Sequence, residues 1–214
     1  MRRIIDLSFP LLTSDPRGTM RTEVYRTLAD HGANITLVSF DTHFGTHLDA
    51  PSHQLAGAPT LDQVDLVKCV GPATVLDLTD SRPGPWIDRA DLEIYAEAIA
   101  PGTRILLRTD WSERVGSPDF NQGYPALTVA AASWLAKRGV LLLGIDTPSV
   151  APVYQGRAVV NAVHQPLLSA EVVLVENLCH LREVPNGPVT FAALPLNLVG
   201  LDGCPVRAIA IVDG

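Results

Sequence analysis

Cysteine is scarce in this chain. The 214 residues hold three, Cys69, Cys179 and Cys204, odd in number and widely separated, which excludes a disulfide framework as the basis of the fold. The nearest approach to an activated thiol is Cys179 beside His180, and adjacent residues on a strand point to opposite faces. A cysteine or serine nucleophile therefore has little support. Basic residues are few and scattered singly, 16 against 23 acidic ones for a formal charge of −7, so no basic stripe offers itself to nucleic acid or an anionic membrane. No apolar run approaches the length of a membrane span, and Met1-Arg2-Arg3 leads into Ile4-Ile5-Asp6 without the apolar core of a signal peptide. The expectation is a soluble, cytoplasmic protein. A glycine-rich phosphate loop is also missing.

What the chain does have is core. Apolar residues make up 47% of it, and nothing reads as a linker, a repeat or a low-complexity tract, so residues 1–214 are expected to form one enzyme domain. Strands are expected at 35–41, 73–78, 104–109, 140–145, 171–175, 189–194 and 206–212. Two helices are expected, one over 89–98 with Asp88 as N-cap and Pro101-Gly102 as its stop, the other over 129–138 between Thr128 and Gly139. Pro166 suits the first turn of a further helix after His164. The class is α/β, rich in sheet. Gly116-Ser117-Pro118-Asp119 and Gly156-Arg157 read as exposed loops bordering a pocket or a subunit contact.

Of only six histidines, three fall with an aspartate inside residues 43–53: His43, His47, Asp49 and His53. Imidazole and carboxylate are the usual nitrogen and oxygen ligands of zinc, manganese and iron. In a helix Asp49 would lie well round the cylinder from His43 and His47, and Pro51 would break it. In a straight strand all four share a face, but His43 and His47 would stand roughly 13 Å apart at about 3.3 Å per residue. The segment must bend, and Gly45 and Pro51 are placed to bend it. A lone histidine is more often structural, but four such groups around one glycine in apolar surroundings point to a metal site. His31, before Gly32, reads as a solvated loop residue, and neither it nor His180 is assigned a role.

The run HxGTHxDxPxH resembles the signature of the metal-dependent cyclase-like hydrolases, the group that contains bacterial kynurenine formamidase and isatin hydrolase. Ile5-Asp6-Leu7-Ser8, Leu107-Arg108-Thr109-Asp110-Trp111, Gly144-Ile145-Asp146-Thr147-Pro148-Ser149-Val150, His164 with Leu167-Leu168, Glu176-Asn177-Leu178 and Leu194-Pro195-Leu196 follow in the family's order. The resemblance implies a swivelling β/β/α sandwich. It implies that His43, His47 and Asp49 bind one divalent ion, that Asp49, His164 and Glu176 bind a second, and that His53 is the general acid and base. It further implies zinc or manganese, one or two ions per subunit, a homodimer or homotetramer, and hydrolysis of a small amide, formamide or lactam.

The substrate is less defined by the sequence. Phe44, Trp111 and Tyr124 are candidates for an aromatic wall, whereas Trp134 sits in a helical apolar pattern that reads as core. Arg108 suits either a substrate carboxylate or a structural ion pair. Leu11-Leu12-Thr13-Ser14-Asp15-Pro16-Arg17-Gly18 stands where the formamidase branch has a Trp-Pro-Gly-Asp-like stretch, and Ala151 follows Pro-Ser-Val where relatives carry Asp. A cyclic amide or lactone substrate therefore stays open, as does biosynthetic cyclisation or dehydration, and a catalytically silent metal-binding protein is the third reading.

Overall fold

Short segments of alternating or continuous apolar residues are the commonest pattern in the chain, and they build a large mixed sheet. The computed structural model describes residues 2–14, 19–79 and 84–212, so Asp15 to Gly18, the second half of the stretch that departs from the family pattern, lies outside the described residues. In chain order the strands are β1 (Arg3–Asp6), β2 (Met20–Arg26), β3 (Ile35–Phe40), β4 (His47–Asp49), β5 (Val70–Asp77), β6 (Trp86–Ile87), β7 (Arg104–Arg108), β8 (Ala126–Leu127), β9 (Leu142–Ile145), β10 (Val173–Glu176), β11 (Gly187–Ala192), β12 (Gly203–Pro205) and β13 (Ile209–Val212). The main sheet has nine strands in the order β1-β13-β11-β5-β7-β9-β10-β4-β12, while β2 pairs with β3 and β6 with β8 outside it. Strands β5, β7, β9 and β10 run parallel, and the pairings on either side of them are antiparallel.

Alternation along the central strands separates two apolar layers. Leu106, Leu142, Val173 and Val175 face one core, and that core also takes Ile5 from β1, Phe191 from β11, Leu48 from β4 and Cys204 from β12. Residues from both ends of the strand order meet there, so the sheet curls around it. Ile105, Leu107, Leu143, Ile145 and Leu174 face the other way, against Leu92, Ala131, Leu135, Val163 and Leu167 of the helices. Each fully buried aliphatic side chain stabilises by about 1.5–3 kcal/mol relative to exposure. Gly144 in β9 is required by packing, since a Cβ there would stand 2.7 Å from Leu106 Cδ2 and 2.8 Å from Leu178 Cδ1.

The helices are α1 (Leu28–His31), α2 (Leu66–Cys69), α3 (Arg89–Glu93), α4 (Val129–Arg138) and α5 (Arg157–Ser169). Helix α4 has the expected ends: Thr128 Oγ1 accepts from Ala131 N at 3.1 Å, and Gly139 closes the helix at φ 71°. Helix α3 starts at the expected cap, Asp88, but is shorter than expected, because past Glu93 the chain tightens into three-residue turns such as Tyr95 N to Leu92 O. Pro166 does not open a helix. It sits inside α5, whose buried Val163, His164, Leu167 and Leu168 anchor the helix in spite of the missing N–H. Glu171, expected to begin a strand, has φ 53° in the turn before β10, and Glu176 is the last residue of that strand. His31 closes α1 instead of lying in a loop, with Gly32 as the left-handed cap.

Candidate metal centre

The bend required by the histidine spacing is present. Gly45 takes φ 62°, which glycine adopts freely, and after it the chain enters β4 with His47 and Asp49 on one face. Pro51 then opens a short 3-10 turn, Pro51–His53, that brings His53 back over the site. Sheet register adds the distant carboxylate: β4 lies between β10 and β12, with His47 directly across from Glu176. Helix α5 supplies His164 from the layer above. The site thus lies at the carboxyl end of parallel strand β10, where open α/β sheets usually bind ligands.

Two imidazoles are oriented by backbone carbonyls. His47 Nδ1 lies 2.8 Å from Gly45 O, and His164 Nδ1 lies 3.0 Å from Val160 O. A carbonyl can only accept, so each Nδ1 carries the hydrogen and each Nε2 faces the carboxylates. His47 Nε2 is 3.3 Å from Asp49 Oδ1 and 3.5 Å from Glu176 Oε2; His164 Nε2 is 3.5 Å from Glu176 Oε1 and 3.9 Å from Asp49 Oδ2. Backbone hydrogen bonding that fixes a ring in this way is the usual support of a metal-binding histidine.

Charge in the site calls for a cation. Asp49 is 1% exposed, and its Oδ2 has no hydrogen-bond partner among the described residues, a costly state for a buried carboxylate oxygen. His43 lies between two acids, Nδ1 2.8 Å from Asp49 Oδ1 and Nε2 2.8 Å from Asp202 Oδ2. Burial opposes its charge, but these two carboxylates outweigh burial and raise its pKa to about 9. His47 and His164 are likewise pulled upward against burial, His47 chiefly by Asp49 and His164 chiefly by Glu176. These shifts express the attraction of a negative pocket for positive charge, and a divalent ion satisfies the same attraction. His53 goes the other way: burial, together with the neighbouring His43 and His164, holds its pKa down.

Two sets of donor atoms lie within 4.8 Å of one another, His43 with Asp49 and His53, and His47 with Asp49 and Glu176. Five of the six residues expected from the sequence fall in these sets, with Asp49 in both; the sixth, His164, is in neither but stands 3.5 Å from Glu176 Oε1. The grouping differs from the implied one: His53 stands in place of His47 beside His43 and Asp49, and His47 stands in place of His164 beside Asp49 and Glu176.

The sequence reading missed several supporting groups. Asp202, just before β12, reaches His43 and stands 3.5 Å from His53 Nδ1. Only the pairing of β12 with β4 brings it there, so no local spacing could have signalled it. Ser149 Oγ and Val150 N donate to Glu176 Oε1 at 2.8 and 2.7 Å, fixing that carboxylate. Their signal was the Pro148-Ser149-Val150 landmark, which had no role attached to it.

The cavity over these groups measures about 460 Å³, and its walls include Asn121, Tyr124, Val153 and Val160. A second, more apolar cavity of about 500 Å³ meets it at Asn121, between Phe9, Leu12, Val115 and Phe120. Of the aromatic candidates only Tyr124 lines the first cavity. Phe44 is fully buried, Trp111 supports the wall by donating Nε1 to Phe120 O at 2.8 Å, and Trp134 packs against the helical core. Arg108 is a structural partner: it forms a fork with Asp110 at 2.8 and 3.0 Å and reaches Asp77 at 2.9 Å.

A sequence profile described as putative cyclase matches residues 5–152. The kynurenine formamidase of Bordetella petrii is 32% identical over 214 residues, covering 98% of each chain. Among solved structures, a potential metal-dependent hydrolase with cyclase activity covers all of both chains at 26% identity with a TM-score of 0.81. Isatin hydrolase A from Ralstonia solanacearum shares the fold, with a TM-score of 0.83 at 24% identity over 99% of this chain and 92% of that one.

Proposed function

Because the chain belongs to the putative cyclase family, we propose that it is a metal-dependent hydrolase that cleaves the C–N bond of a small amide, with an aryl formamide as the first substrate class. The observation that carries this reading is the buried Asp49 Oδ2, which accepts no hydrogen bond from the described residues and lies at the centre of imidazole and carboxylate groups. His43, His47 and Asp49 are the proposed ligands of one divalent ion, and Asp49, His164 and Glu176 those of a second. Zinc and manganese both suit such mixed donors. A bound divalent cation lowers the pKa of a water molecule toward neutrality and polarises a carbonyl oxygen.

The protein's own groups do the rest. His53 faces the cavity from the 3-10 turn and has a side chain about one-quarter exposed, so it can take a proton from the attacking water and return it to the leaving nitrogen. Asp202 holds the ring on its Nδ1 side. Ser149 and Val150 keep Glu176 turned inward, and the backbone bonds of His47 and His164 keep both Nε2 atoms aimed at the same point. The apolar cavity beyond Asn121 is suited to an aromatic ring. It admits a fused ring as readily, which makes a cyclic amide such as an isatin the second reading.

A homodimer or homotetramer in the cytoplasm is proposed for the assembled enzyme. Supporting the association, the β2–β3 ribbon packs chiefly on itself and exposes Val24 at 68% and Val38 at 49% on one of its faces. The test of function is steady-state hydrolysis of N-formylkynurenine by protein loaded separately with zinc and manganese. Turnover with either ion is expected. Its absence with both removes the aryl formamide and leaves isatin-like amides and lactones to be assayed.

A further inference from the structure

A third cavity, of about 460 Å³, opens beside the metal pocket and shares His53 and Val160 with it. We propose that this cavity is a carboxylate subsite and that Arg157 is its anchor, so that the enzyme selects substrates carrying a negative group away from the scissile bond. The proposal rests on the hydrolase reading for its meaning, although the subsite can be tested without catalysis.

The wall of the cavity is made of Ser52, Gln54, Arg157 and Asn161 together with His53 and apolar groups, and no carboxylate among the described residues lines it. Arg157 is the only lysine or arginine among the described residues lining either this cavity or the metal pocket. It is exposed, and it forms no ion pair with any described residue. The arginines nearer the core are spent on structure. Arg108 is bound to Asp110 and Asp77, and Arg104 donates to the carbonyls of Lys68, Pro72 and Val67.

Donors converge around Arg157. It opens α5, where helix geometry places the unpaired N–H groups and a partial positive charge, and Gly156 before it provides no side-chain cap. Asn161 follows one turn later on the same face. Across the cavity, Ser52 Oγ has no hydrogen-bond partner among the described residues, so its hydroxyl keeps a donor in reserve. A guanidinium presents a planar fork that matches a carboxylate with two parallel bonds, which lysine cannot do. The metal pocket alongside is rich in acid, from Asp49, Glu176 and Asp202. A substrate with a free carboxylate therefore needs a cation to offset repulsion on entry, and Arg157 stands where that cation is wanted. A neutral lactam would gain nothing from it.

The experiment is calorimetric binding of two probes to the metal-loaded protein: 4-oxo-4-phenylbutanoate, and its amide, which keeps the ring and chain without the charge. The wild type is expected to prefer the carboxylate, and Arg157→Gln to weaken carboxylate binding about ten- to a hundredfold with the amide unchanged, as for loss of a charged hydrogen-bonded pair. Arg157→Lys should retain part of the preference. Absence of a preference in the wild type, or a preference that survives in Arg157→Gln, overturns the proposal. A carboxylate preference lost in the variant, in a protein that hydrolyses no formamide, isatin-like amide or lactone, would sink the hydrolase reading and leave the subsite standing.

Discussion

The ring of His53 lies against the ring of His43, with centroids 3.9 Å apart. The contact sets the residue proposed as proton carrier beside a proposed ligand, and Asp202 bridges the pair, 2.8 Å from one ring and 3.5 Å from the other. A carboxylate so placed orients both rings without lying within the buried ligand cluster. Asp202→Asn is expected to lower kcat about ten- to a hundredfold while KM and metal content stay near wild type. Metal analysis beside steady-state kinetics checks this, and a parallel loss of metal would instead make Asp202 a support of the ion site.

His53 can be separated from the ligands in the same manner. His53→Ala should keep its metal and lose roughly two to four orders of magnitude in turnover, the usual span for a general acid or base. Because His53 is also within reach of an ion held by His43 and Asp49, loss of metal together with activity would reassign it as a ligand.

Asp49 carries the strongest expectation about metal. An ion that binds only the folded protein at a hundred times its dissociation constant stabilises by about 2.7 kcal/mol, or roughly 5–10 °C in Tm for a chain of this size. Chelation should lower the wild-type Tm by that order, and Asp49→Asn should show no shift between chelated and metal-supplemented samples. A variant that still responds to metal would show that Asp49 is dispensable to the site.

Asp146 gives a pH dependence apart from the metal cluster. It accepts hydrogen bonds from the backbone of Thr109 and Asp110 and from the Thr109 hydroxyl, yet burial pushes its pKa from 3.8 up to about 6. A carboxyl with a raised folded pKa takes up a proton on folding. Its contribution to stability is therefore full below pH 3.8 and is lost as the pH rises through about 6. Urea unfolding between pH 4 and 7 should show a fall of about 2–3 kcal/mol in the wild type that is missing from Asp146→Asn. Equal slopes in the two proteins would place the pH dependence elsewhere.

Gly203 tests how closely β12 must approach the site. A Cβ there would stand 2.6 Å from Leu48 O and 2.9 Å from His43 Cε1, the first a backbone atom that cannot swing away. Gly203→Ala is expected to destabilise by about 1–3 kcal/mol and to weaken metal binding by displacing His43. Thermal unfolding paired with metal titration reads both effects, and a variant with wild-type metal affinity would show that His43 is free to move aside.

The local parts of the site were legible in the sequence. The spacing of His43, His47, Asp49 and His53 requires a bend, glycine at position 45 provides it, and the cap chemistry of Thr128 and Gly139 marks the ends of α4. Groups brought in by topology were harder to read. Glu176 and His164 could be named through a resemblance, but Asp202 depends on β12 returning to the edge of β4, and no periodicity records that. Helix α5 was mistaken at its start because Pro166 suits a first turn, while burial of Val163 and Leu167 decides the matter in the folded chain. Strand β2 was overlooked since its residues are nearly all exposed, and strand reasoning looks for a buried face. Arg108 was open between two roles until Asp77 and Asp110, one from a neighbouring strand, were seen to occupy it.

The register that sets His47 opposite Glu176 joins segments far apart in the chain. Closing so long a loop is slow, because its entropic cost falls before the pairing can reward it. The proposed second ion, held by Asp49, His164 and Glu176, consequently has no complete site in a chain whose β10 has not yet met β4. Metal in the refolding buffer should leave the folding rate nearly unchanged and lengthen the lifetime of the native state, so that the ion acts as a latch on a door already closed.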